Sequence, residues 1–481
     1  MRQCYRSVAL GIFCVAVAGA SRTWAQANNP TAPPTPPPTT PVAPATTPAA
    51  PPAGPAAPAA DENVLVTLLK TGHSEGVRAK AAQDLGRQGD RTAIPALAGA
   101  LGDPSAKVRR EVVLALAQFH QSDVLPPLEK ATKDSDEAVR ITAVQCLVGY
   151  YSGVLPTLGF TGFMKKNWQF FTTHFQPNDS RIDPGVAVEP GVVDTLVEVM
   201  KSPGSSAASR AAARGLGILL AKSAAPDLVV AAHSSDSDLA EEALNSLGKI
   251  KDLASGPKLV DLLDSPNKDV RRDACVTVGI LRTKEALPKL QSIFQSGIDQ
   301  KDKLAALQGL AYLGDKVSVQ LFTQALWSDN KDMRQAAAEG LARAADPQSL
   351  GELQKADMAE KDAAPKLAIE FALAALGKDD TLNDLVNELN SKIRGDVART
   401  YLIELARNPA FLPKLYPYLQ SPDSGIRMRL CMVLMYSGDQ GTLQQLDRLE
   451  HDPDNNVAAA ALRAKRAIRA RLDAATPAAT S

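Results

Sequence analysis

The sequence predicts an all-α fold, an α-α superhelix of about twelve helix pairs. One unit recurs at a spacing near 31 residues: an apolar residue, a basic residue directly after it, and small or apolar residues four and eight positions beyond the first. These spacings place the apolar side chains on one face of a helix. The composition, with only 5% aromatic residues, suits closely packed helices. A repeat of fixed period builds a solenoid, which grows linearly without a closed core.

The apolar-basic pair marks the second helix of each predicted pair. Its basic position is occupied at Arg78, Arg109, Arg140, Arg210, Arg271, Lys303, Arg334, Lys366 and Arg427, while Ala240, Ala398 and Ala458 stand in the same register without a charge. We interpret the arginines as a structural ladder in which each one pairs with an Asp of its own or the next repeat. Contact of one of them with a ligand is the alternative interpretation.

Prolines mark the first helix of each pair. They stand at Pro95, Pro126, Pro226, Pro257, Pro288 and Pro413, and neighbours within each group are 31 residues apart. Proline is tolerated in a first helical turn, where its missing N–H has no intrahelical partner to lose. Asp103-Pro104 and Asp452-Pro453-Asp454 are typical of turns and N-caps, and they separate the two predicted helices of a repeat.

These units resemble HEAT repeats, in particular the short HEAT-like repeats first associated with phycobilisome lyases. The clearest copy is Asp269-Val270-Arg271, followed by Ala274, Val278 and Leu281. The resemblance covers residues 61–472 approximately and implies an α-α superhelix. Its period is shorter than the roughly 40–47 residues usual for HEAT units, which favours the short subclass. The resemblance concerns the repeat alone and does not imply lyase activity.

The beginning of the chain predicts export. Arg2 and Arg6 precede an apolar run of about 14 residues, and Ala25-Gln26-Ala27 offers a cleavage site, so residues 1–27 are interpreted as a secretory signal peptide. An uncleaved N-terminal anchor is the alternative. Residues 28–60 are almost entirely Pro, Ala and Thr and predict a disordered spacer. We expect an exported protein, periplasmic in a Gram-negative source and otherwise secreted.

The period breaks once, between Arg140 and Arg210, where the spacing is 70 residues instead of 62. The extra residues, 150–190, separate repeats 1–3 (61–149) from repeats 4–12 (191–472). They are rich in aromatic side chains: Tyr150, Tyr151, Phe160, Phe163, Trp168, Phe170, Phe171 and Phe175. Insertions between repeats map to loops and are often binding surfaces.

The sequence leaves three interpretations of this aromatic insertion open. It forms a satellite core packed on its neighbours, it is an exposed anchor for a protein or peptide partner, or it lies in a membrane interface. Gly153, Pro156, Gly159 and Gly162 exclude a membrane-spanning helix, and we expect no transmembrane segment in the mature chain.

The C-terminal end predicts a longer helix from Asn456 to Leu472, followed by a disordered tail, 473–481. The helix carries five basic residues: Arg463, Lys465, Arg466, Arg469 and Arg471. Terminal repeats of a solenoid need a polar outer face, so we expect a capping role. A basic docking site for an acidic partner or a lipid surface is the alternative.

No pattern of catalytic residues is evident. The five histidines have no metal-ligand spacing, and the chain lacks the His-Glu dipeptides with which deoxyhypusine hydroxylase, a HEAT-like enzyme, holds two irons. It also lacks a phosphate-binding P-loop and a Gly-x-Ser-x-Gly nucleophile motif. Cys146, Cys275 and Cys431 fall in separate repeats and are expected to be buried apolar residues.

We therefore expect a non-catalytic scaffold or adaptor without a cofactor, which binds a protein or peptide partner through the second helices and the aromatic insertion. Lys plus Arg and Asp plus Glu are both 53, so no basic field indicates nucleic acid. Two alternatives stay open. One is an enzyme or enzyme subunit with an unrecognised site, either lyase-like or metal-dependent. The other is an envelope protein that docks on a lipid surface through the insertion.

Overall fold

The computed structural model describes residues 64–154, 181–203, 206–297 and 299–475. Within these ranges it contains helices and no strand, which confirms the predicted all-α solenoid. All described residues belong to one compact unit, Ala60–Ser481. The predicted leader and linker lie outside the described residues.

The described residues form twelve helix pairs, numbered here as repeats 1 to 12. The first helices are Val64–Thr71, Ile94–Gly99, Leu125–Ala131, Pro190–Lys201, Ala225–Ala232, Leu253–Asp264, Leu287–Ser296, Val319–Ala325, Leu350–Ala359, Leu382–Glu388, Leu412–Gln420 and Gln440–Asp447. The second helices are Glu75–Gln88, Ala106–Leu116, Glu137–Ser152, Ser206–Ile218, Ser237–Ile250, Lys268–Ile280, Gln300–Leu313, Lys331–Ala344, Ala363–Ala375, Gly395–Leu405, Ser424–Ser437 and Asn455–Ala475.

The caps follow from the sequence. The Asn267 side chain accepts hydrogen bonds from the N–H groups of Asp269 and Val270 and so begins the second helix of repeat 6. Pro95 lies in the first turn of its helix, as predicted. Pro257 departs from the prediction, because it lies inside the 3-10 helix Leu253–Asp264 instead of opening an α-helix.

Many second helices end on a residue with positive φ, the left-handed conformation that favours glycine. The residues at this position are Gly89, Gly153, Leu220, Lys251, Arg282, Gly314, Ala345 and Gly377. A residue other than glycine in this conformation costs on the order of 1–3 kcal/mol. Lys251 and Arg282 therefore occupy a backbone conformation that glycine adopts with the least strain.

The core runs along the stacked layers of helices. Backbones approach closely between repeats 6 and 7, where a Cβ added to Gly279 would lie 2.2 Å from the Gly309 carbonyl oxygen. Small residues are required at such contacts. Cys146, Cys275 and Cys431 are free and buried, as predicted.

The helix bounds refine two predicted boundaries. The second helix of repeat 3 continues to Ser152 and the first helix of repeat 4 begins at Pro190, so the interruption of the repeats spans 153–189 and is shorter than 150–190. At the other end, the last helix continues to Ala475, three residues past Leu472 and into the predicted tail. In the part of the chain described, no helix has the length and apolar character needed to cross a membrane.

Candidate functional site

The predicted ladder arginines stand in the first turn of the second helices and contact the turn of the following repeat. Arg109 donates from Nε and Nη2 to the two Asp134 oxygens at 2.7 and 2.7 Å, and from Nη1 to the Asp103 carbonyl at 2.8 Å. The same arrangement recurs at Arg78 with Asp103, at Arg334 with Glu360, and at Arg427 with Asp452. Each guanidinium therefore joins the turn of its own repeat to the turn of the next repeat.

The other three ladder arginines vary this arrangement. Arg271 pairs with Asp302 at 2.5 Å and Arg210 with Asp238 at 2.6 Å. Arg140, at the interruption, has no ion pair with a described residue; it donates to the carbonyls of Asp134 and Ser135 in its own repeat at 2.7 and 2.9 Å. Among the described residues, no acid continues the ladder from Arg140 across the break in the period.

Only the first two residues of the predicted aromatic site lie within the described residues. Tyr150 and Tyr151 are half-buried and meet edge to face, with ring centroids 5.0 Å apart. The Glu189 N–H donates to Tyr151 Oη at 3.2 Å, so the two ends of the interruption are held together. The other residues of that site lie outside the described residues: Phe160, Phe163, Trp168, Phe170, Phe171 and Phe175.

The segment 181–189 joins repeat 4 to repeat 12. The Ile182 N–H donates to the Ile218 carbonyl at 3.1 Å, and Arg463 donates to Asp183 at 2.5 and 3.0 Å. A Cβ on Gly185 would lie 2.6 Å from the Ala470 side chain. Repeats far apart along the chain are therefore in contact through this segment.

The predicted basic face of the last helix is largely used within the protein. Lys465, buried, pairs with Asp447 and Glu450 of its own repeat. Arg471 donates to the carbonyls of Met435, at 2.8 Å, and Gly438 in repeat 11. Arg466 and Arg469 are exposed.

A buried polar cluster that the sequence analysis did not identify lies between repeats 7 and 10. Arg343 donates to the two Glu404 oxygens at 2.8 and 3.1 Å and to Glu339 at 3.2 Å, and its guanidinium lies 4.5 Å from the centre of the Tyr312 ring. Tyr401 donates to Glu339 at 2.6 Å. Only 8% of the Arg343 side chain is exposed. Second helices that are not neighbours in the chain thus meet on one inner face.

The electrostatics of this cluster keep its central pair charged. Burial alone would lower the pKa of Arg343, but Glu404 and Glu339 outweigh it and raise that pKa. Burial alone would raise the pKa of Glu404, but Arg343 outweighs it and lowers that pKa. Burial and Glu339 raise the pKa of Tyr401, so its hydroxyl stays a hydrogen-bond donor.

Three further cations lie around this pair. Burial, then the charges of Arg407 and Arg181, lower the pKa of Lys251 to about 8, and Glu404 opposes them. The charges of Arg407 and Lys251 in turn help to lower the pKa of Glu404. Neither Lys251 nor Arg407 forms an ion pair with a described residue. Both side chains reach solvent, so the burial of Lys251 is partial. We call Lys251, Arg407 and Arg181 the inner basic cluster.

The sequence offered one faint signal for this cluster. Lys251 occupies the helix-end position that is glycine in four other repeats. Because Lys251 and Arg407 are 156 positions apart, no local sequence pattern relates them. Among the described residues, no group of three or more His, Cys, Asp and Glu side chains is placed to hold a metal ion.

Comparisons with known proteins give the family of the repeats. A family model described as HEAT repeats matches residues 62–148 and 225–311. A crystal structure of YibA from Escherichia coli shares 18% sequence identity, covers 58% of this chain and 92% of its own, and has a TM-score of 0.38. A crystal structure of an engineered protein also shares 18% identity, covers 85% of this chain and 99% of its own, and has a TM-score of 0.35.

No curated protein matches this chain. The two matched segments cover repeats 1 to 3 and the repeats from 5 to 7, and each consists of the helix pairs described above. The chain therefore contains HEAT repeats in these two segments.

Proposed function

We propose that this protein is a non-catalytic, exported scaffold or adaptor that binds a protein or peptide partner on the solenoid surface. A HEAT-repeat array is a helical scaffold suited to protein interaction. The proposal adds a place for the partner, which is the interruption between repeats 3 and 4 and the repeat surfaces beside it.

The observation that carries this proposal is the break in the repeats at 153–189. The base of the interruption presents an aromatic pair, Tyr150 and Tyr151, and aromatic side chains supply much of the binding energy at interfaces. At the same junction Arg140 has no acidic partner among the described residues. This junction therefore offers apolar area and hydrogen-bond donors that the regular junctions use internally.

Site-specific photo-crosslinking in the source cells tests this proposal. A photoreactive amino acid replaces Tyr150 in one variant and Val230 in the other, because Val230 is 71% exposed on the first helix of repeat 5 and lies outside the interruption. We expect a discrete protein adduct from position 150 and none of the same mass from position 230. Equal adducts from both positions, or none from either, would contradict the proposal.

A deletion of residues 155–180 separates binding from packing. If the insertion is the anchor, the deletion removes the adduct at position 150 and leaves the melting temperature close to that of the full chain. If the adduct persists and the melting temperature falls, the insertion is structural. Export is tested separately by protease protection of intact cells and spheroplasts, and a cytoplasmic location would overturn that part.

A further inference from the structure

We propose that residues 51–60, the end of the Pro- and Ala-rich segment nearest to repeat 1, dock into an apolar groove of repeat 1 and cap that end of the solenoid. These residues lie outside the described part of the chain, whereas the groove lies within it. The inference goes beyond the proposed scaffold function and does not depend on it.

The groove lies between the two helices of repeat 1. It has a volume of about 380 Å³, and its apolar lining consists of Leu65 and Leu68 from the first helix and Val77 and Ala81 from the second. All of its lining residues belong to repeat 1, so no other described repeat closes it. Leu68 is 38% exposed and Val77 is 41% exposed. Repeat 1 therefore presents an apolar surface that no described residue covers.

The two ends of the solenoid differ in polarity. The last helix exposes Arg466 and Arg469, the kind of polar outer face that a terminal repeat needs for solubility. Repeat 1 exposes apolar side chains in addition to those of the groove, since Val64, the first residue of its first helix, is 68% exposed. An uncovered apolar end also favours end-to-end association of solenoids. Repeat 1 therefore needs a cover that repeat 12 does not need.

The polar side chains that line the groove offer no unpaired charge to an occupant. Lys80 and Asp84 pair with each other at 2.6 Å. The Ser74 hydroxyl oxygen accepts a hydrogen bond from the Val77 N–H at 3.3 Å and so caps the second helix. An uncharged, weakly polar occupant suits such a groove. Residues 28–60 contain no charged side chain and consist mainly of Pro, Ala and Thr.

The position of the segment in the chain places it within reach of the groove. Only Asp61, Glu62 and Asn63 separate it from the first helix, Val64–Thr71, which forms one wall of the groove. Three extended residues span about 10 Å, which is enough for the chain to turn back along the helix. The helix is about 12 Å long, and about four residues in polyproline II conformation span that length.

Docking of this segment has a small entropic cost. Proline fixes φ, so a Pro-rich segment is already extended before it binds, and polyproline II has no internal hydrogen bonds to lose. Because the segment is tethered next to the groove, its effective concentration there is on the order of millimolar. A second copy of the chain has to bind at the lower concentration of the protein in solution, so the tethered segment is the favoured occupant.

Labelling of engineered thiols in the full chain tests the proposal. Val77→Cys places a thiol in the groove and keeps a small apolar side chain there. Thr67→Cys is the matched control, because Thr67 is exposed on the first helix of the same repeat and does not line the groove. Each substitution is combined either with the unchanged segment or with residues 51–60 replaced by alternating Gly and Ser, which keeps the tether length. Mass spectrometry of the peptide that carries the new thiol gives its rate of labelling by N-ethylmaleimide.

We expect the unchanged segment to slow labelling at position 77 by about fivefold relative to the Gly and Ser segment, because a millimolar effective concentration keeps the groove largely occupied. Labelling at position 67 should be equally fast with either segment. The slowing at position 77 should not depend on protein concentration, since the occupant belongs to the same chain.

Three results would overturn the proposal. Equal labelling at position 77 with either segment would mean that residues 51–60 do not cover the groove. Slowing that increases with protein concentration would assign the groove to a second copy of the chain. Slowing of the same size at position 67 would reflect general shielding of repeat 1 instead of docking in the groove.

Discussion

Two sets of arginine–carboxylate pairs in this protein differ in how far apart the paired residues lie in the sequence. In the ladder, Arg109 and Asp134 are 25 residues apart, and pairs of the same kind recur at other junctions. In the buried polar cluster between repeats 7 and 10, Arg343 and Glu404 are 61 residues apart, and their pairing crosses repeat 9. Ladder arginines also donate to a carbonyl of their own repeat, whereas Arg343 bonds two carboxylates and lies over Tyr312.

The difference is one between contacts that every repeat needs and contacts that are formed at one place in the solenoid. A ladder pair stabilises the stacking of one repeat on the next, so it recurs with the period of the repeats. The buried polar cluster depends on which distant repeats the superhelix brings together, so the described residues contain no counterpart one period away. A partner or ligand that recognises one place on a repetitive surface requires such a non-periodic feature.

The largest expected effect is at the buried polar cluster. Arg343→Leu leaves Glu339 and Glu404 facing each other with no cation bonded to both, and such a loss of one partner in a buried ion pair costs about 3–5 kcal/mol. Urea unfolding followed by circular dichroism measures the loss. The double variant with Glu404→Leu should recover part of it. A loss below about 1 kcal/mol would show that the cluster is not buried as described.

The ladder should respond more weakly and unevenly. Arg109→Ala loses a bidentate bond to Asp134 and is expected to cost about 2 kcal/mol, the upper range for a hydrogen bond to a charged group. Arg140→Ala, at the interruption, loses only bonds to carbonyls and should cost about 1 kcal/mol. The same unfolding measurement compares them. Equal costs would mean that the carboxylate adds nothing to the ladder.

The smallest expected effect concerns Asp273, a buried carboxyl bonded to Asn245 at 3.2 Å. Burial, then Glu241 and Asp269, raise the pKa of Asp273 from 3.8 to about 7. The folded state therefore binds more protons than the unfolded state between these values, and the free energy of unfolding falls as the pH rises through this window. Asp273→Asn should stabilise the protein by about 1 kcal/mol at pH 8 and not at pH 4.

Thermal unfolding of the parent chain and Asp273→Asn across this pH range checks the prediction. A gain that is constant with pH would point to packing instead of ionisation. Asp273 sharpens the comparison because, unlike the carboxylates of both arginine sets, it has no ion pair with a cation among the described residues.

The sequence predicted the local parts of this structure well. The apolar-basic pair located the second helices, and acids such as Asp103 and Asp452 located the turns before them, because these signals act within one or two helical turns. The twelve pairs and the buried cysteines were confirmed for the same reason. Pro257 was the exception, since a proline signals a helix start without deciding between α and 3-10 geometry.

The candidate site was predictable only in part. The break in spacing pointed to the interruption, and Tyr150 and Tyr151 do lie at its base. The inner basic cluster was not found, because Lys251 and Arg407 carry no shared motif and belong to repeats that are far apart in the chain. Neither helix propensity nor the spacing of the repeats determines the angle by which each helix pair is rotated relative to the previous one.

The sequence alone determined the class of fold, the number of helix pairs and the position of the interruption. Each of these follows from the spacing of a short residue pattern that lies within one or two helical turns of each repeat. The tertiary structure alone decided that Arg343 meets Glu404, that Asp183 meets Arg463, and that Tyr401 meets Glu339. Small rotations between successive layers add up over many repeats, and only their sum brings these side chains together.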